Sequence, residues 1–324
     1  MKKTGFGAAF LALAGIALSA ATASAQSYPD APITLVVPSS AGGASDTVGR
    51  LVANAVAPFL GQQVVVENRD GASATIGADI VAKSKPDGYT WLIIDNAHAA
   101  NVSLRSNLSY DILKDFVPIT QTNSAPHVLV VHPSVEANSV ADLVALAKAK
   151  PGEINYASAG QGTVTFLAAE IFKDQAGVDL TEIPYKGGGN SLRAIVAGET
   201  QVYFSPLLVA LPYIADGRLR ALAVTSKTRV DLLPDVPTIA ESGYPDYEFN
   251  LWNGFLVPAN TPPEIVKKIH DSIVAAIETD EMGKKLADMG AVVVGSESEE
   301  FGAFIKAQVD SLSELIHKLG LQPQ

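Results

Sequence analysis

The chain has 324 residues, 48% hydrophobic and 18% charged, with a formal net charge of −11 and no cysteine. That composition excludes disulfides and thiolate chemistry, and the acidic balance argues against nucleic acid as a partner, because phosphate binding needs a basic surface. At roughly 150 residues per domain the length suggests two domains, each able to bury a core.

At the amino terminus Lys2 and Lys3 precede an apolar run from Phe6 to Leu18, and a small-residue stretch ends in Ala23-Ser24-Ala25. This is the layout of a secretory signal cleaved after Ala25, with an uncleaved anchor as the alternative. The run is shorter than the ~20 residues that a spanning helix needs, and no later stretch is long and apolar enough to span a bilayer. Residues 26–324 are therefore expected to form a soluble protein, made more acidic by the loss of two lysines.

Short β-branched runs then alternate with helical patterns. Ile33 to Val37 reads as a strand, and Thr47 to Leu60 as a helix with apolar Val48, Leu51, Val52, Ala55 and Val56 on one side. Val64 to Val66 reads as a strand, Ile76 to Ser84 as a helix and Trp91 to Ile94 as a strand. This βαβαβ order implies a parallel sheet with right-handed crossovers. A second series follows, with strands at Val128 to Val131, Ile154 to Ala157, Glu182 to Tyr185, Gln201 to Phe204 and Arg220 to Val224. Its helices are Val140 to Lys148, Val164 to Gln175, Ser191 to Ala197 and Leu207 to Ala215. A loop rich in proline and glycine, Leu233 to Pro245, leads to a strand at Trp252 to Val257. The tail is helical over Glu264 to Glu278 and Glu299 to Lys318, and is expected to pack back on the first lobe, making it discontinuous.

Ligands of open α/β sheets bind beyond the carboxyl ends of the strands, so the strand-to-helix loops are the place to look. The first is Pro38 to Asp46, with Gly42, Gly43 and three serines; Ser45 or Asp46 can cap the helix that follows. The second, Ser158 to Thr163, has the same character in the other half. Two helix amino termini are thereby expected to face each other, offering unpaired N–H donors to an anion; the alternative is a pair of ordinary glycine turns. A carboxylate at Asp46 would repel a bound carboxylate. A structural role is preferred for it, as a helix cap or an ion pair with Arg50, over holding water or meeting a ligand amino group.

Several segments together carry a family resemblance: Tyr28-Pro29 with Pro32-Ile33, Gly42-Gly43 followed by Asp46, Val66-Glu67-Asn68-Arg69 with Gly71-Ala72, and Lys85-Pro86-Asp87-Gly88-Tyr89-Thr90. Further on come Tyr110-Asp111, Asp115-Phe116, Pro151-Gly152, Ala157-Ser158-Ala159-Gly160, Pro184-Tyr185-Lys186-Gly187 and Asp235 to Glu241. The set resembles the Bug family, the extracytoplasmic receptors of tripartite tricarboxylate transporters. That resemblance implies a type II periplasmic-binding-protein fold, α/β, with two doubly wound lobes and a ligand cleft between them. After the signal segment of 1–25 it implies a first lobe of 26–126 plus 250–324, and a second lobe of 127–249. It also implies a periplasmic, monomeric receptor that closes on a small carboxylate and delivers it to the membrane subunits of the transporter, without cofactor or metal.

Carried over by position, the first-loop contacts are Ser39, Ser40, Ala41, Gly43, Ser45 and Asp46, and the second-loop contacts are Ser158, Ala159, Gly160, Gly162 and Thr163. The chain departs from the family at Ser39, where an aromatic residue is usual, at Phe166, where histidine is common, and at Ser73-Ala74, which replace a glycine pair. The far end of the ligand is expected to be read by Asn96, His98, Tyr185, Ser205 and Trp252. An aliphatic dicarboxylate and an aromatic carboxylate such as terephthalate or a benzoate both fit.

Other candidates have plain readings. His127 and His132 fall on opposite faces of a strand and do not make a metal pair. His270 and His317 are expected to face solvent or cap tail helices, and Trp91 and Phe59 to be core. Lys186 before Gly187-Gly188-Gly189 lacks the order of a phosphate loop. Glu297, Glu299 and Glu300 supply favourable charge at the start of the last helix. The rival functions are a hydrolase built on a loop serine, for which no GxSxG or HExxH is present, and a sensor that signals through a membrane kinase.

Overall fold

The structure, a computed structural model, describes residues 28–39, 41–185 and 187–323. The expected signal segment, Ser40 and Lys186 lie outside the described residues. In chain order the elements are β1 (Ile33–Val37), α1 (Ala44–Leu60), β2 (Val64–Asn68), α2 (Thr75–Ala82), β3 (Thr90–Ile94), α3 (Asn96–Leu104) and β4 (Phe116–Val131). Then follow α4 (Val140–Ala149), β5 (Asn155–Ser158), α5 (Val164–Ala176), β6 (Thr181–Pro184), α6 (Gly188–Ala197), β7 (Val202–Pro206), α7 (Leu207–Ala215) and β8 (Arg220–Val224). The chain ends with β9 (Asn250–Pro258), α8 (Pro263–Ile277), α9 (Asp280–Asp288), β10 (Val292–Val293) and α10 (Ser298–Lys318).

The strands lie in the order β2-β1-β3-β9-β4-β7-β5-β6, with β8 and β10 also on β4. β1 pairs parallel with β2 and β3, and β5 pairs parallel with β6 and β7, as βαβ crossovers require. The two parallel halves meet at β4, which is 16 residues long. From Phe116 to Pro126 it runs antiparallel to β9, and from His127 to Val131 antiparallel to β7, with β8 alongside from Val128. One strand thus passes through both lobes.

Its first half reads as polar, Thr120-Gln121-Thr122-Asn123, yet all four side chains are buried. They are satisfied across the sheet: Thr122 donates to the Asn253 carbonyl at 3.2 Å, and Thr120 to that of Ser296 at 2.7 Å. Polar satisfaction replaces apolar burial there, so alternation of hydrophobic residues does not mark the strand. α3 escapes the same signal, because Asn96, His98 and Asn101 are buried beside Ala99, Ala100 and Leu104.

The tail returns to the first lobe, where α8 packs on α1 and α10 on α3 and β4. One face of the sheet there is covered through Leu35, Val52, Trp91, Phe255, Ile269 and Ile273. Trp91 is fully buried, its indole N–H donating to the Gly88 carbonyl at 2.7 Å. Phe59, expected in the core, is instead 42% exposed, because Val48, Val52, Val56 and Leu60 form the buried stripe of α1 one helical position away. His270, expected to face solvent or cap its helix, is buried against the Ser296–Glu297 turn, with Nε2 3.3 Å from the Ser296 carbonyl. Among the described residues no helix is long and apolar enough to cross a membrane.

Candidate ligand-binding crevice

A cavity of about 400 Å³ lies between the lobes. Four helices open on it: Gly43 to Ser45 of α1, Thr163 to Thr165 of α5, Gly188 and Gly189 of α6, and Leu207 to Val209 of α7. None of the four amino termini has a side-chain cap. α2 and α8 also lack one, whereas α3, α4, α9 and α10 are capped by Asp95, Ser139, Thr279 and Glu297. An amino terminus leaves its first N–H groups without an intrahelical partner and carries a partial positive charge. The first lobe supplies one of these termini and the second lobe three.

No lysine or arginine lines the cavity among the described residues; its one carboxylate is Asp95. Asp95 accepts from Ser45 Oγ at 2.8 Å and from the Ala97 N–H at 3.0 Å, and Asn253 in turn donates to Ser45 Oγ at 3.0 Å. Burial pushes the Asp95 carboxyl up, but His98, Ser45 and Ala97 together hold it below the usual carboxylate range. The hydroxyl of Ser45 is therefore committed to a carboxylate of the protein.

Asp46 lies under the first loop and not in the cavity wall. Its carboxylate accepts from Gly42 N–H at 2.8 Å, Arg50 Nε at 3.0 Å and Asn68 Nδ2 at 2.8 Å. Burial raises its pKa, and these donors outweigh that, so it stays charged and fixes the turn. Asn68 also donates to the Ser39 carbonyl at 2.9 Å, tying β2 to the same turn.

Of the positions picked from sequence, Ser39, Gly43, Ser45, Ala159 and Thr163 line the cavity. Ala41 is exposed at the loop tip. Ser158 is buried behind the second loop, donating to Glu182 and accepting from the Gly160 N–H at 3.0 Å. Gly160 lies at the turn and accepts from Thr163 Oγ1 at 2.6 Å. Gly162 faces Leu104 of α3 rather than the cavity wall.

The residues expected at the far end go elsewhere. Asn96 bridges α3 to β9, donating to the Asn250 carbonyl at 3.1 Å and accepting from the Trp252 N–H at 3.3 Å. His98 is buried, its Nδ1 3.2 Å from Asp95 N and 3.3 Å from Asp95 Oδ1. Trp252 packs edge-on against Phe301 and Phe304 and, with Asn96, lines a second cavity on the α5–α10 side. Ser205 is enclosed in β7, and Tyr185 lies in a surface depression beside Arg193 and Arg218. All five lie at or near strand ends in sequence, but strand ends alone do not say which way a side chain or loop turns.

The crevice also takes residues that sequence reasoning missed, among them His127, Thr165, Leu192, Tyr203, Leu251 and Met289. The glycine run 187–189 had the same strand-to-helix setting as the two recognised loops and was a usable signal. No local pattern marks His127 in mid-strand, or Met289 more than 80 residues in sequence beyond the α7 wall it joins.

Two lobes joined by a shared strand, with helix amino termini from both meeting at an apolar crevice, define a solute-binding receptor of the type II periplasmic-binding-protein fold. The chain belongs to the tripartite tricarboxylate transporter receptor family, whose sequence pattern matches residues 48–321. It is similar to protein BugT of Bordetella pertussis, 34% identical over 313 residues that cover 96% of this chain and 95% of that one. Among solved structures it resembles Rpa4515 of R. palustris with adipate, at 34% identity and a TM-score of 0.85, covering 92% of this chain and 100% of that one. It also resembles the periplasmic binding protein BugD, at 33% identity and a TM-score of 0.83, with 92% and 100% covered. Proteins of this family are receptors and not enzymes.

Proposed function

We propose that the protein is a periplasmic receptor that captures a small carboxylate between its lobes and delivers it to the membrane subunits of a tripartite tricarboxylate-type transporter. In this reading a leader over 1–25 directs secretion, residues 26–126 with 250–324 form one lobe, and 127–249 form the other. The lobes rotate about β4 and the segment entering β9, and ligand shifts the equilibrium toward closure by touching both.

The observation that carries the reading is the convergence of four uncapped helix amino termini on a cavity with no lysine or arginine among the described residues. Each terminus contributes up to about 2 kcal/mol toward an anion in partly buried geometry. A handful of charge-assisted hydrogen bonds at about 1.5–3 kcal/mol each then reaches the roughly −8 kcal/mol of micromolar binding after desolvation. The adipate complex of Rpa4515 adds a relative with a carboxylate ligand. Within the crevice we assign the anion to the turns holding Ser39, Gly43, Ala159 and Thr163, with Asp46 as their support.

A thermal-shift screen of the mature protein against mono- and dicarboxylates tests this. Ligand at about 100 Kd should add ~2.7 kcal/mol to stability. A rise in melting temperature with sugars or cations, and none with carboxylates, would overturn the assignment.

A further inference from the structure

We propose that the ligand carries a single carboxylate, an apolar body and one uncharged hydrogen-bond acceptor, and that His127 is the specificity-determining residue that reads that acceptor. The inference rests on the carboxylate-receptor reading and narrows it.

The body is set by the walls. Leu192, Leu207, Leu208, Val209, Leu251 and Met289 surround most of the cavity, and Leu208 and Val209 are 38% and 41% exposed. Side chains this large and this exposed lose water only when something apolar covers them. The charge is set by what is missing from those walls and by what is present. A second carboxylate would share the cavity with Asp95 and meet no lysine or arginine among the described residues. It would be the third negative charge there, beside Asp95 and the first carboxylate, and like charges in a water-poor space repel, so the cavity selects against it.

Beside Asn123, Thr165 and Tyr203, His127 is a further polar group in the wall. It lines the cavity at the point where β4 passes from one lobe to the other, and its side chain is 1% exposed. Its backbone is fixed on both sides: its N–H donates to Thr225 Oγ1 at 2.7 Å, and that hydroxyl donates back to its carbonyl at 3.1 Å. Nδ1 is enclosed and has no hydrogen-bond partner. A buried lone pair costs less to leave unpaired than a buried N–H, so the proton belongs on Nε2, the nitrogen that the ring can offer to the cavity. Burial keeps the ring neutral, bringing it down to about 3. A fixed neutral donor in an apolar wall matches a carbonyl, ether or hydroxyl oxygen.

Two matched series separate the possibilities: hexanoate, 5-oxohexanoate and adipate; benzoate, 4-acetylbenzoate and terephthalate. Titration calorimetry of the mature protein should rank the keto acid first in at least one series, by about tenfold over the plain acid, the worth of one well-placed hydrogen bond. In His127→Phe the ratio between keto acid and plain acid should collapse to near one, and His127→Gln, which keeps a neutral donor, should restore part of it. Dicarboxylates ranking first in both series would overturn the single-charge inference, and a ratio unchanged in His127→Phe would overturn the role of His127. Should the variants fail to fold, the ranking in the unaltered protein still decides the ligand class. Silence from all six acids would instead remove the carboxylate-receptor reading itself.

Discussion

Gly162 and Leu104 meet outside the crevice, where the two halves of the chain approach: a Cβ on Gly162 would stand 2.7 Å from Leu104 Cδ1. Gly162 belongs to the loop that opens α5 in the second lobe, and Leu104 ends α3 in the first. Gly290 makes a matching contact at the α9–β10 turn, where a Cβ would lie 2.6 Å from Leu207 Cδ2 at the start of α7. Both glycines have positive φ, +80° and +72°, so a side chain there is strained as well as obstructed. On the closure proposed above, these close approaches limit how near the lobes come.

Gly162→Ala and Gly290→Ala should therefore hold the lobes apart. Each is expected to weaken ligand binding by about tenfold or more and to cost about 1–2 kcal/mol of stability from the left-handed backbone alone. Small-angle scattering distinguishes the two effects. The radius of gyration at saturating ligand should stay near the unliganded value in the variants, and a fully compacted complex would show that the contacts do not limit closure.

Asp46→Ala should loosen the first loop, because it removes the acceptor shared by Gly42, Arg50 and Asn68. Arg50 is 47% exposed, which limits the cost to about 1–3 kcal/mol, read from urea midpoints at neutral pH. The folded pKa of Asp46 lies below its ordinary value of 3.8, so its contribution is present above that value and is lost as pH falls through the folded one. The wild-type and variant midpoints should converge in acid; a gap of constant size would contradict the ion-pair account.

His127 titrates in the same direction but in a higher pH window. Its folded pKa is about 3 against an ordinary 6.5, so below 6.5 the unfolded chain takes the proton and the folded one does not. Stability from this group is complete above 6.5 and declines toward 3, by up to about 1.4 kcal/mol per pH unit. His127→Phe should flatten the dependence of unfolding free energy on pH between 4 and 6 by about one proton relative to wild type. Parallel curves would mean that the ring is not held neutral.

Gly43→Val tests the anion site with least disturbance to the fold. The φ of Gly43 is −71°, a conformation open to any residue, and the turn it occupies faces the crevice. Affinity for any bound carboxylate should fall by about a hundredfold or more, with the melting temperature of the free protein nearly unchanged. Gly160→Val is a harsher change, since φ there is +108°. Unaltered affinity in Gly43→Val would move the anion away from α1.

The local grammar of the chain was legible from sequence. β-branched runs, glycine turns and amphipathic stripes act over a few residues, and they located β1, α1, β2, β3, α7 and β8 to within a few positions. The same signals located the loops before α1 and α5. Where burial is achieved by polar pairing, as along Thr120 to Asn123 or under α3, the sequence looks like loop and the element passes unseen.

Membership of the crevice was decided only by the tertiary structure. Chain order says that a loop follows a strand, and nothing about which lobe face it turns toward. That is why Asn96 and Trp252 line a cavity on another side, and Tyr185 a separate surface depression, while His127, Met289 and the start of α7 enter the crevice from positions without a local mark. Local propensity fixes the pieces; the long antiparallel pairing of β4 with β9 and β7 fixes which pieces meet.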